Sequence, residues 1–381
     1  MTIDYNKPID IAAITALTQE ANKAYEIADK YRAKGVTVVI GGVHASMLPD
    51  EALLHADVVI IGEAERSWPK FLLDYQEENY KRVYDEKERF PLVDMAIPRR
   101  DLYDKNKFST FYTLQATRGC PFDCHYCGVT SFFGKSFRCR PVDEVIKEIV
   151  EMKTKRIFFV DDNIVGNRKY AKELMRALIP LHLTWSGQVS LNIADDNELL
   201  ELFTRSGGDF AFIGIESISS AGLADANKSW NDNHGYTKKI TEVRKAGINI
   251  LGSFVFGFDS DTPEIFRHTL EFVKDHKIDS CQYNVLTPLP GTIMFKKMKN
   301  EGRILDFDWS KYHTGTVVIQ PVNMSRKELQ DGYYWIYKET YSRKNILRRL
   351  MNTHGRFASK IASNYCMRRK VLKFHKPAPV F

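Results

Sequence analysis

Residues 118–128 read Arg-Gly-Cys-Pro-Phe-Asp-Cys-His-Tyr-Cys-Gly and bring three cysteines, Cys120, Cys124 and Cys127, within eight positions. Thiolates at this spacing can bind three irons of one cubane [4Fe-4S] cluster, which leaves the fourth iron without a cysteine ligand. Such an iron is a coordination site for a substrate or a cofactor, like the open position of a catalytic zinc site. The alternative is structural zinc held by three cysteines and a histidine. Zinc sites usually use two spaced pairs of ligands, however, and the remaining cysteines are isolated.

The motif lies near the start of a region, residues 111–287, in which short β-branched or aromatic runs alternate with amphipathic segments. This alternation is typical of repeated β-α units around a parallel sheet. Six strands are expected, at residues 111–117, 156–161, 183–189, 210–216, 248–258 and 280–287. The sequence therefore predicts an α/β fold whose centre is an open, partial (β/α)6 barrel over residues 111–290.

The helices between these strands carry apolar residues at helical spacing. The clearest begins at Pro141, a residue favoured in the first turn, and its stripe, which includes Val145, Ile149 and Val150, is expected to face the sheet. Arg138 and Arg140 precede this helix. Either arginine can bind a carboxylate or a phosphate of a ligand, but we expect a surface salt bridge for both.

Residues 10–75 indicate a second, smaller α/β unit, with strands expected at 11–16, 36–40 and 58–61 and a helix at 21–34. Three strands are few for an independent domain. The polar stretch 76–110 is expected to be a linker, and the residues after 290 are mostly helical in pattern. The predicted division is a shortened Rossmann-like domain at 1–75, the linker at 76–110, the barrel at 111–290 and a helical extension with a basic tail at 291–381.

The charge of the chain is concentrated at one end. The formal net charge is +7, but residues 341–381 hold 11 Lys or Arg and no Asp or Glu, so the other 340 residues carry a net −4. A basic tail can contact an anionic membrane surface or RNA. No apolar run approaches the roughly 20 residues of a membrane span, and the N-terminus lacks the pattern of an export signal. We expect a cytoplasmic protein whose tail contacts the membrane periphery, and no nucleic acid partner.

With Tyr126 before the last cysteine, the motif resembles the Cys-x3-Cys-x2-Cys signature of the radical S-adenosylmethionine (SAM) enzymes. Other segments resemble the branch of that family that carries an N-terminal cobalamin-binding domain. These segments are Gly41-Gly42-Val43-His44-Ala45, Gly62-Glu63-Ala64-Glu65, Val160-Asp161-Asp162-Asn163, Gly214-Ile215-Glu216-Ser217 and Pro288-Leu289-Pro290-Gly291-Thr292. The resemblance implies that the three cysteines hold a [4Fe-4S] cluster and that SAM binds its open iron. It also implies that an electron from a donor such as flavodoxin or ferredoxin cleaves SAM to a 5'-deoxyadenosyl radical.

Barrels of β-α units place their functional residues at the carboxyl ends of the strands. Seven residues at these ends are expected to bind SAM: Asp161, Asp162, Gln188, Ser190, Glu216, Ser217 and Gly257. The carboxylates can accept hydrogen bonds from the amino group or the ribose of SAM, and Gly257 can let the adenine approach the backbone. For Asp162 and Ser217, a helix cap or a turn is an equal alternative. The sequence identifies no acid–base catalyst.

The sequence departs from this branch in its N-terminal domain. A complete domain would contain an Asp-x-His-x-x-Gly segment whose histidine binds cobalt, and no such segment precedes the first strand. Three explanations stay open: a shortened domain that has lost cobalamin, a site that holds cobalamin without a histidine ligand, or an incomplete sequence. We expect the first, which favours direct radical outcomes such as hydroxylation, rearrangement or carbon–carbon bond formation. Methyl transfer through cobalamin is the alternative.

The resemblance also implies a hydrophobic small-molecule substrate such as a tetrapyrrole or an isoprenoid, because relatives with this C-terminal extension act on such skeletons. The aromatic segment at residues 333–337 would suit such a ligand, but we expect it to be helix core. A non-catalytic alternative is a metal-stabilised module that binds RNA through residues 341–381. That alternative predicts bound zinc and an affinity for RNA that falls steeply with salt.

Overall fold

The computed structural model describes residues 3–104, 112–231, 235–351 and 354–372. The strands are β1 (Ile11–Thr15), β2 (Thr37–Gly41), β3 (Val58–Ile61), β4 (Val83–Asp85), β5 (Thr113–Leu114), β6 (Thr117–Arg118), β7 (Arg138–Cys139), β8 (Arg156–Phe159), β9 (Thr184–Val189), β10 (Gly208–Glu216), β11 (Asn249–Phe256) and β12 (Ser280–Val285). The helices are α1 (Ala21–Arg32), α2 (Val43–Met47), α3 (Pro49–His55), α4 (Ala64–Gln76), α5 (Gly128–Phe133), α6 (Val142–Met152), α7 (Arg168–Leu178), α8 (Asn197–Arg205), α9 (Ser220–Asp225), α10 (Tyr236–Lys245), α11 (Ile265–Asp275), α12 (Ile293–Asn300), α13 (Arg326–Thr340), α14 (Arg343–Leu350) and α15 (Phe357–Val371). Among the described helices, none combines the length and the apolar character that a membrane span requires.

The chain forms two compact units. The first unit consists of Met1–Pro91, His125–Gly134 and Thr287–Gln320, and the second consists of Leu92–Cys124, Lys135–Leu286 and Pro321–Phe381. A parallel sheet in the order β1-β2-β3-β4 lies in the first unit. This sheet has one strand more than the sequence predicts, because β4 lies in the stretch that the sequence pattern assigns to a linker.

Tyr84 explains why residues 83–85 join this sheet. It lies opposite Ile60 in the parallel pairing of β4 with β3. Its buried ring packs against Phe71 of α4, with centroids 5.9 Å apart, and its hydroxyl donates to Asp74 at 2.7 Å. Three residues are too few to show the alternation that predicts a strand. The strand is therefore specified by the packing of one aromatic side chain.

The second unit contains a parallel sheet in the order β12-β11-β10-β9-β8-β5. Each strand pairs with the preceding and the following strand of the β-α alternation. This linear order confirms the predicted partial (β/α)6 fold. Apolar side chains of β10 and β11, among them Ile213 and Ile250, are completely buried. The helices that follow the sheet, α13, α14 and α15, confirm the predicted helical extension for the part of it that is described.

The first strand of this sheet is shorter than expected. β5 covers two residues, and Phe111, its expected first residue, lies outside the described residues. Beyond β5 the backbone N–H groups of Ala116 and Thr117 donate to the carboxylate of Asp161, at 3.1 and 2.5 Å. Thr117–Arg118 then forms β6, which is antiparallel to β7. The carboxylate of Asp161 thus accepts the hydrogen bonds that the backbone of a neighbouring strand would otherwise accept. Hydrophobic periodicity does not reveal such an arrangement.

The helix α6 buries a charge among its apolar residues. Val145 and Ile149 are buried as expected, but Val150 is 58% exposed, so the predicted stripe is wrong at this residue. Glu148 is 2% exposed instead. A carboxylate can occupy such a position only if its charge is paired and its oxygens accept hydrogen bonds.

Two arginines supply that pairing and also complete the edge of β5. Arg100 Nη2 donates to Glu148 Oε1 at 2.6 Å and to the carbonyl oxygen of Thr113 at 2.8 Å. Arg140 Nη1 donates to Glu148 Oε2 at 2.7 Å and to the carbonyl oxygen of Gln115 at 2.9 Å. Arg140 is 5% exposed, so the expectation of a surface salt bridge is wrong for this arginine.

Tyrosines complete the opposite edge of the sheet, at β12. The hydroxyl of Tyr337 accepts from the N–H of Tyr283 and donates to the carbonyl oxygen of the same residue, both at 3.0 Å. The hydroxyl of Tyr341 does the same at Cys281, at 2.8 and 2.6 Å. Unpaired edge groups invite another strand, and these hydroxyls occupy them. The aromatic segment of α13 is therefore helix core, as predicted.

Candidate functional site

The cysteine motif follows β6. Cys120 and Cys124 belong to the second unit, whereas Cys127 belongs to the first unit and is the residue before α5. All three are free and partly buried. No three His, Cys, Asp or Glu side chains within the described ranges converge closely enough to hold one metal ion, as the zinc alternative requires. A cubane does not require such convergence, because each thiolate binds a different iron.

Two polar side chains from later elements reach the thiols of the second unit. Burial raises the pKa of Cys120, and it raises the pKa of Cys124 to about 11. The ammonium group of Lys228 opposes this effect at both thiols, and the side chain of Asn163 forms a hydrogen bond with Cys120. Iron is bound by the thiolate. Lys228 at both sulfurs and Asn163 at Cys120 therefore offset part of the cost that burial imposes on the thiolate.

Lys228 is buried at the carboxyl end of β10. Its Nζ donates to the carbonyl oxygen of Gly214 at 2.9 Å and to Oε1 of Glu216 at 3.0 Å. A Cβ at position 214 would lie 2.3 Å from this carboxylate oxygen, so only glycine allows the approach. Glu216 has a φ of 68° and follows a bulge in the pairing of β10 with β11. Positive φ at a residue with a side chain, beside a buried ion pair, is typical of functional sites.

Residues 227–231, which we call the latch segment, contact the cysteine loop. Asn227 Nδ2 donates to the carbonyl oxygen of Asp123 at 2.7 Å. The ring of Trp230 stacks on the ring of Phe122, with centroids 3.6 Å apart and 9° between the planes. Lys228, in the middle of the segment, lies 5.4 Å from the centroid of the Trp230 ring. The latch segment therefore joins the cysteine loop to the end of β10.

Asp161, a predicted SAM ligand, is completely buried under the start of the cysteine loop. Besides the two backbone N–H groups described above, its carboxylate accepts from Thr117 Oγ1 at 2.6 Å. Burial raises the pKa of this carboxyl to about 6, although these hydrogen bonds act in the opposite direction. The structure therefore places Asp161 in contact with the backbone around β6 and away from any open surface.

Asp162 lies closer to the cysteines. Its carboxylate accepts from the backbone N–H of Gly119, and burial raises its pKa to about 6. Its Oδ2 is buried and has no hydrogen-bond partner among the described residues. The next residue, Asn163, accepts from the backbone N–H of Ser190 at 3.1 Å. Cys120, Asp162 and Ser190 are thus brought to one place, with Asn163 between them.

The other predicted site residues differ in their surroundings. Gln188 is partly buried at the end of β9, where its carbonyl oxygen accepts from Ile164 N at 3.0 Å. Ser217 is buried, and its hydroxyl accepts from Ser219 N at 3.1 Å, which is the turn contact given above as the alternative.

Gly257 has a φ of 105°, and its N–H donates to Asp261 at 2.9 Å. A Cβ at this position would lie 2.9 Å from the side chain of Leu329, so a residue of α13 packs closely against this side of the glycine.

Three residues of the site were not predicted from the sequence: Asn163, Lys228 and Trp230. Asn163 belongs to the Val160-Asp161-Asp162-Asn163 segment and follows two predicted residues, so its position was a usable signal. The latch segment carries no motif. It is a polar stretch between two helices, and the sequence does not indicate that it folds back on a loop 104 residues earlier.

Family profiles match three consecutive parts of the chain. The profile of the radical SAM superfamily matches residues 114–273, and that of the B12 binding domain matches residues 5–72. A domain of unknown function (DUF4070) matches residues 292–374.

Two enzymes of Chlorobaculum tepidum are similar over most of the chain. Bacteriochlorophyllide d C-12(1)-methyltransferase is 35% identical over 351 residues, which cover 90% of this chain and 76% of the relative. Bacteriochlorophyllide d C-8(2)-methyltransferase is 34% identical and covers 92% of this chain and 81% of the relative. A solved structure of the radical SAM methyltransferase TsrM from Kitasatospora setae, with cobalamin and a [4Fe-4S] cluster bound, matches 95% of this chain and 81% of its own with a TM-score of 0.68. It is 13% identical, so this likeness shows a shared fold.

Proposed function

Because the chain belongs to the radical SAM superfamily, in the branch with a B12 binding domain, it is an enzyme, and we propose that it methylates a carbon of a hydrophobic, tetrapyrrole-like small molecule. The observation that carries the proposal is the 35% identity, along 90% of the chain, to a bacteriochlorophyllide methyltransferase. This similarity supports methyl transfer through cobalamin over the direct radical outcomes, which are hydroxylation, rearrangement or the coupling of two substrate carbons. The substrate is a small molecule, and a reducing partner is required.

The residues present fit the [4Fe-4S] cluster that the family implies. The three cysteines are partly buried and lie within eight positions of the sequence. Lys228 offsets part of the rise in thiol pKa that burial causes at Cys120 and Cys124, and Asn163 does so at Cys120. We propose that Cys120, Cys124 and Cys127 hold the cluster. A reduced cluster held by these cysteines would supply the electron for the reductive cleavage of SAM. The latch segment holds the cysteine loop through the hydrogen bond of Asn227 to Asp123 and the stacking of Trp230 on Phe122.

We propose a division of roles among the other site residues. Asp162, whose Oδ2 has no partner in the described part of the chain, accepts a hydrogen bond from the amino group of SAM. Ser190 and Gln188 lie at the end of the adjacent strand and contact the same ligand. Glu216 positions Lys228. The other three residues stabilise the local backbone conformation through hydrogen bonds: Asp161, Ser217 and Gly257. We propose that the N-terminal domain includes β4, so that the linker predicted at 76–110 begins after residue 85, and that the barrel spans 111–290 and the C-terminal extension 291–381.

We further propose that the first unit binds cobalamin at the carboxyl edge of its sheet. Ligands of open parallel sheets bind at this edge. The loop at Gly62, which follows β3, is open, since a Cβ there would meet only Arg89, at 3.8 Å. His44 is buried beside Trp309, and its Nε2 is hydrogen-bonded to Glu51 at 3.2 Å, so this nitrogen is already engaged and we do not assign His44 as a cobalt ligand. The proposal is therefore a corrinoid site without an axial histidine from this loop.

The test of the enzyme reaction is anaerobic. Protein reconstituted with iron and sulfide, and supplied with cobalamin, dithionite and SAM, is assayed for 5'-deoxyadenosine and S-adenosylhomocysteine. The wild type and a Cys366→Ser variant, which changes an exposed cysteine, are expected to cleave SAM. A Cys124→Ser variant is expected to cleave none and to retain less iron. A cluster-loaded wild type that forms neither product would refute the proposal. The absorbance spectrum of protein purified with cobalamin separately tests the corrinoid site.

We also propose that the enzyme is cytoplasmic, receives electrons from a flavodoxin or a ferredoxin, and contacts anionic membranes through its basic C-terminal region. Phe357, Ile361 and Tyr365 are exposed at a spacing of four residues along α15, on a segment without acidic residues. Such a face can insert its apolar side chains between anionic headgroups.

The membrane contact is tested by cosedimentation with vesicles of phosphatidylcholine alone or with phosphatidylglycerol added. Binding is expected only with the anionic lipid, and Ile361→Asp is expected to abolish it, whereas Leu73→Asp, at an exposed residue of α4, is not. Equal sedimentation with both vesicle types would contradict the membrane proposal alone.

A further inference from the structure

A cavity of about 410 Å³ lies beside β5 in the second unit. Cavities that bind small molecules usually measure about 300–1,000 Å³. Its walls are apolar at Met95, Leu114 and Val160, and they carry three arginines, Arg100, Arg118 and Arg140, against one carboxylate, Glu148. The lining formed by the described residues is therefore mostly hydrophobic with an excess of positive charge.

The arginines that pair with Glu148 use only part of their hydrogen-bonding capacity. Arg140 makes both of its hydrogen bonds to described residues through Nη1, and its buried Nε has no partner among them. Arg100 makes both of its hydrogen bonds through Nη2. A guanidinium group has five N–H donors. Both guanidinium groups at this cavity thus retain N–H groups that no described residue accepts.

Glu148 supplies a single negative charge, and two guanidinium groups share it, each through one carboxylate oxygen. Nε of Arg140 is the donor that is buried, and a buried donor without a partner is costly, as is uncompensated positive charge beside it. The group that best satisfies both is a second carboxylate, since its two oxygens match the planar geometry of a guanidinium group. The lining therefore favours an anionic group at the end of a hydrophobic skeleton.

We propose that this cavity binds a carboxylate of the substrate, and that the substrate is accordingly an apolar molecule that carries a free acid. The inference rests on the proposed function, because it assigns the cavity to the substrate of that enzyme. Arg118 connects the two sites: it lines the cavity and lies two residues before Cys120. The acid end binds beside β5, and the apolar skeleton extends toward the cysteine loop.

The test uses pairs of probes that share a skeleton and differ in charge. Retinoic acid and retinol represent an isoprenoid skeleton, and protoporphyrin IX and its dimethyl ester represent a tetrapyrrole. Affinities are measured by equilibrium dialysis with the cluster-loaded, full-length protein under argon. Hydrogen bonds to a charged group are worth enough to make an acid bind about tenfold or more tightly than its neutral partner. The pair that shows this preference identifies the skeleton, and equal affinity within both pairs overturns the proposal.

Variants locate the preference. Arg100→Lys keeps the charge but loses the planar donor pair, so the acid is expected to lose most of its advantage while the neutral partner is unaffected. Arg205→Lys, at an exposed arginine of α8 that pairs with Glu201, is the matched control and is expected to bind like the wild type. Val160→Trp fills the cavity without changing charge and is expected to weaken both members of a pair. An acid preference that survives both Arg100→Lys and Val160→Trp overturns the assignment.

Cleavage of SAM is measured on the same samples. A protein that cleaves SAM but shows no acid preference loses only this inference. A protein that prefers the acid but does not cleave SAM loses the proposed reaction and retains a binding site for an apolar acid.

Discussion

Replacing Lys228 by methionine is expected to destabilise the second unit strongly. The ammonium group and Oε1 of Glu216 are 3.0 Å apart, and both residues are at most 9% exposed. Removing one partner of a buried ion pair leaves the other charge without compensation, which costs about 3–5 kcal/mol. Replacing both partners by neutral residues costs much less, because no charge remains buried. The double variant Glu216→Gln/Lys228→Met is therefore expected to recover most of the loss.

The measurement is urea unfolding of the apoprotein, followed by circular dichroism, for the single and double variants. Lys245→Met, which removes an exposed partner of Glu242, is the control and is expected to change the free energy of unfolding by less than about 1 kcal/mol. Iron and sulfide retained after reconstitution provide a second readout. Lys228→Met is expected to retain less of both, since the latch segment holds the cysteine loop. The reasoning would be refuted by a single variant as stable as the wild type, or by a double variant no more stable than the single one.

Three further predictions concern other parts of the second unit. Tyr341→Phe removes the hydroxyl that pairs with Cys281 N and O, and it is expected to lower the free energy of unfolding by about 2–4 kcal/mol in urea titrations; Tyr365→Phe, at an exposed tyrosine, is the control. Burial raises the pKa of Asp261 to about 7, from about 3.9 in an unfolded chain. Between about pH 3.9 and pH 7 the carboxyl of Asp261 is therefore protonated in the folded protein and ionised in the unfolded chain. The free energy of unfolding consequently falls as the pH rises through this range. Asp261→Asn is expected to remove this loss, up to roughly 4 kcal/mol, and equal pH profiles of both proteins would contradict the assignment. Trp230→Ala is expected to speed hydrogen exchange in residues 119–124, whereas Trp230→Phe, which keeps a stacking ring, is expected to preserve protection; unchanged exchange in the alanine variant would exclude a role for the stack.

The architecture was largely predictable because its signals are local and repeated. The alternation of strands and helices predicted the six-stranded sheet. Gly207 and Gly247, which follow α8 and α10, have φ values of 92° and 82°, as is common for the glycine that ends a helix. Interactions between distant residues were not predictable in this way. Val150 is exposed and Glu148 buried because Arg100, 48 residues earlier, supplies a partner for the charge.

The candidate site likewise contains residues that a local sequence signal identifies and residues that only contacts between distant segments identify. The spacing of the three cysteines is sufficient to identify them. Asp162 and Ser190 were selected because functional residues of β-α barrels lie at the carboxyl ends of the strands. The rule also selected Asp161, which a sequence cannot distinguish from its neighbour, although one carboxylate is bound to backbone on all sides and the other retains an oxygen without a partner among the described residues. Lys228 has no signal at all, since an isolated lysine in a polar stretch is usually a surface residue.

The six-stranded sheet ends in strands that do not meet one another, and phenol and guanidinium groups occupy the backbone positions along its two margins. A closed barrel has no edge strands and would need no side chains to pair with them, but a ligand could enter it only through one end. An open sheet leaves a gap between its first and last strands, through which a flat, bulky ligand can enter from the side. Side chains pair with the backbone groups at these two edges, and a side chain cannot extend the sheet. The sheet can therefore remain open without adding a strand from another molecule.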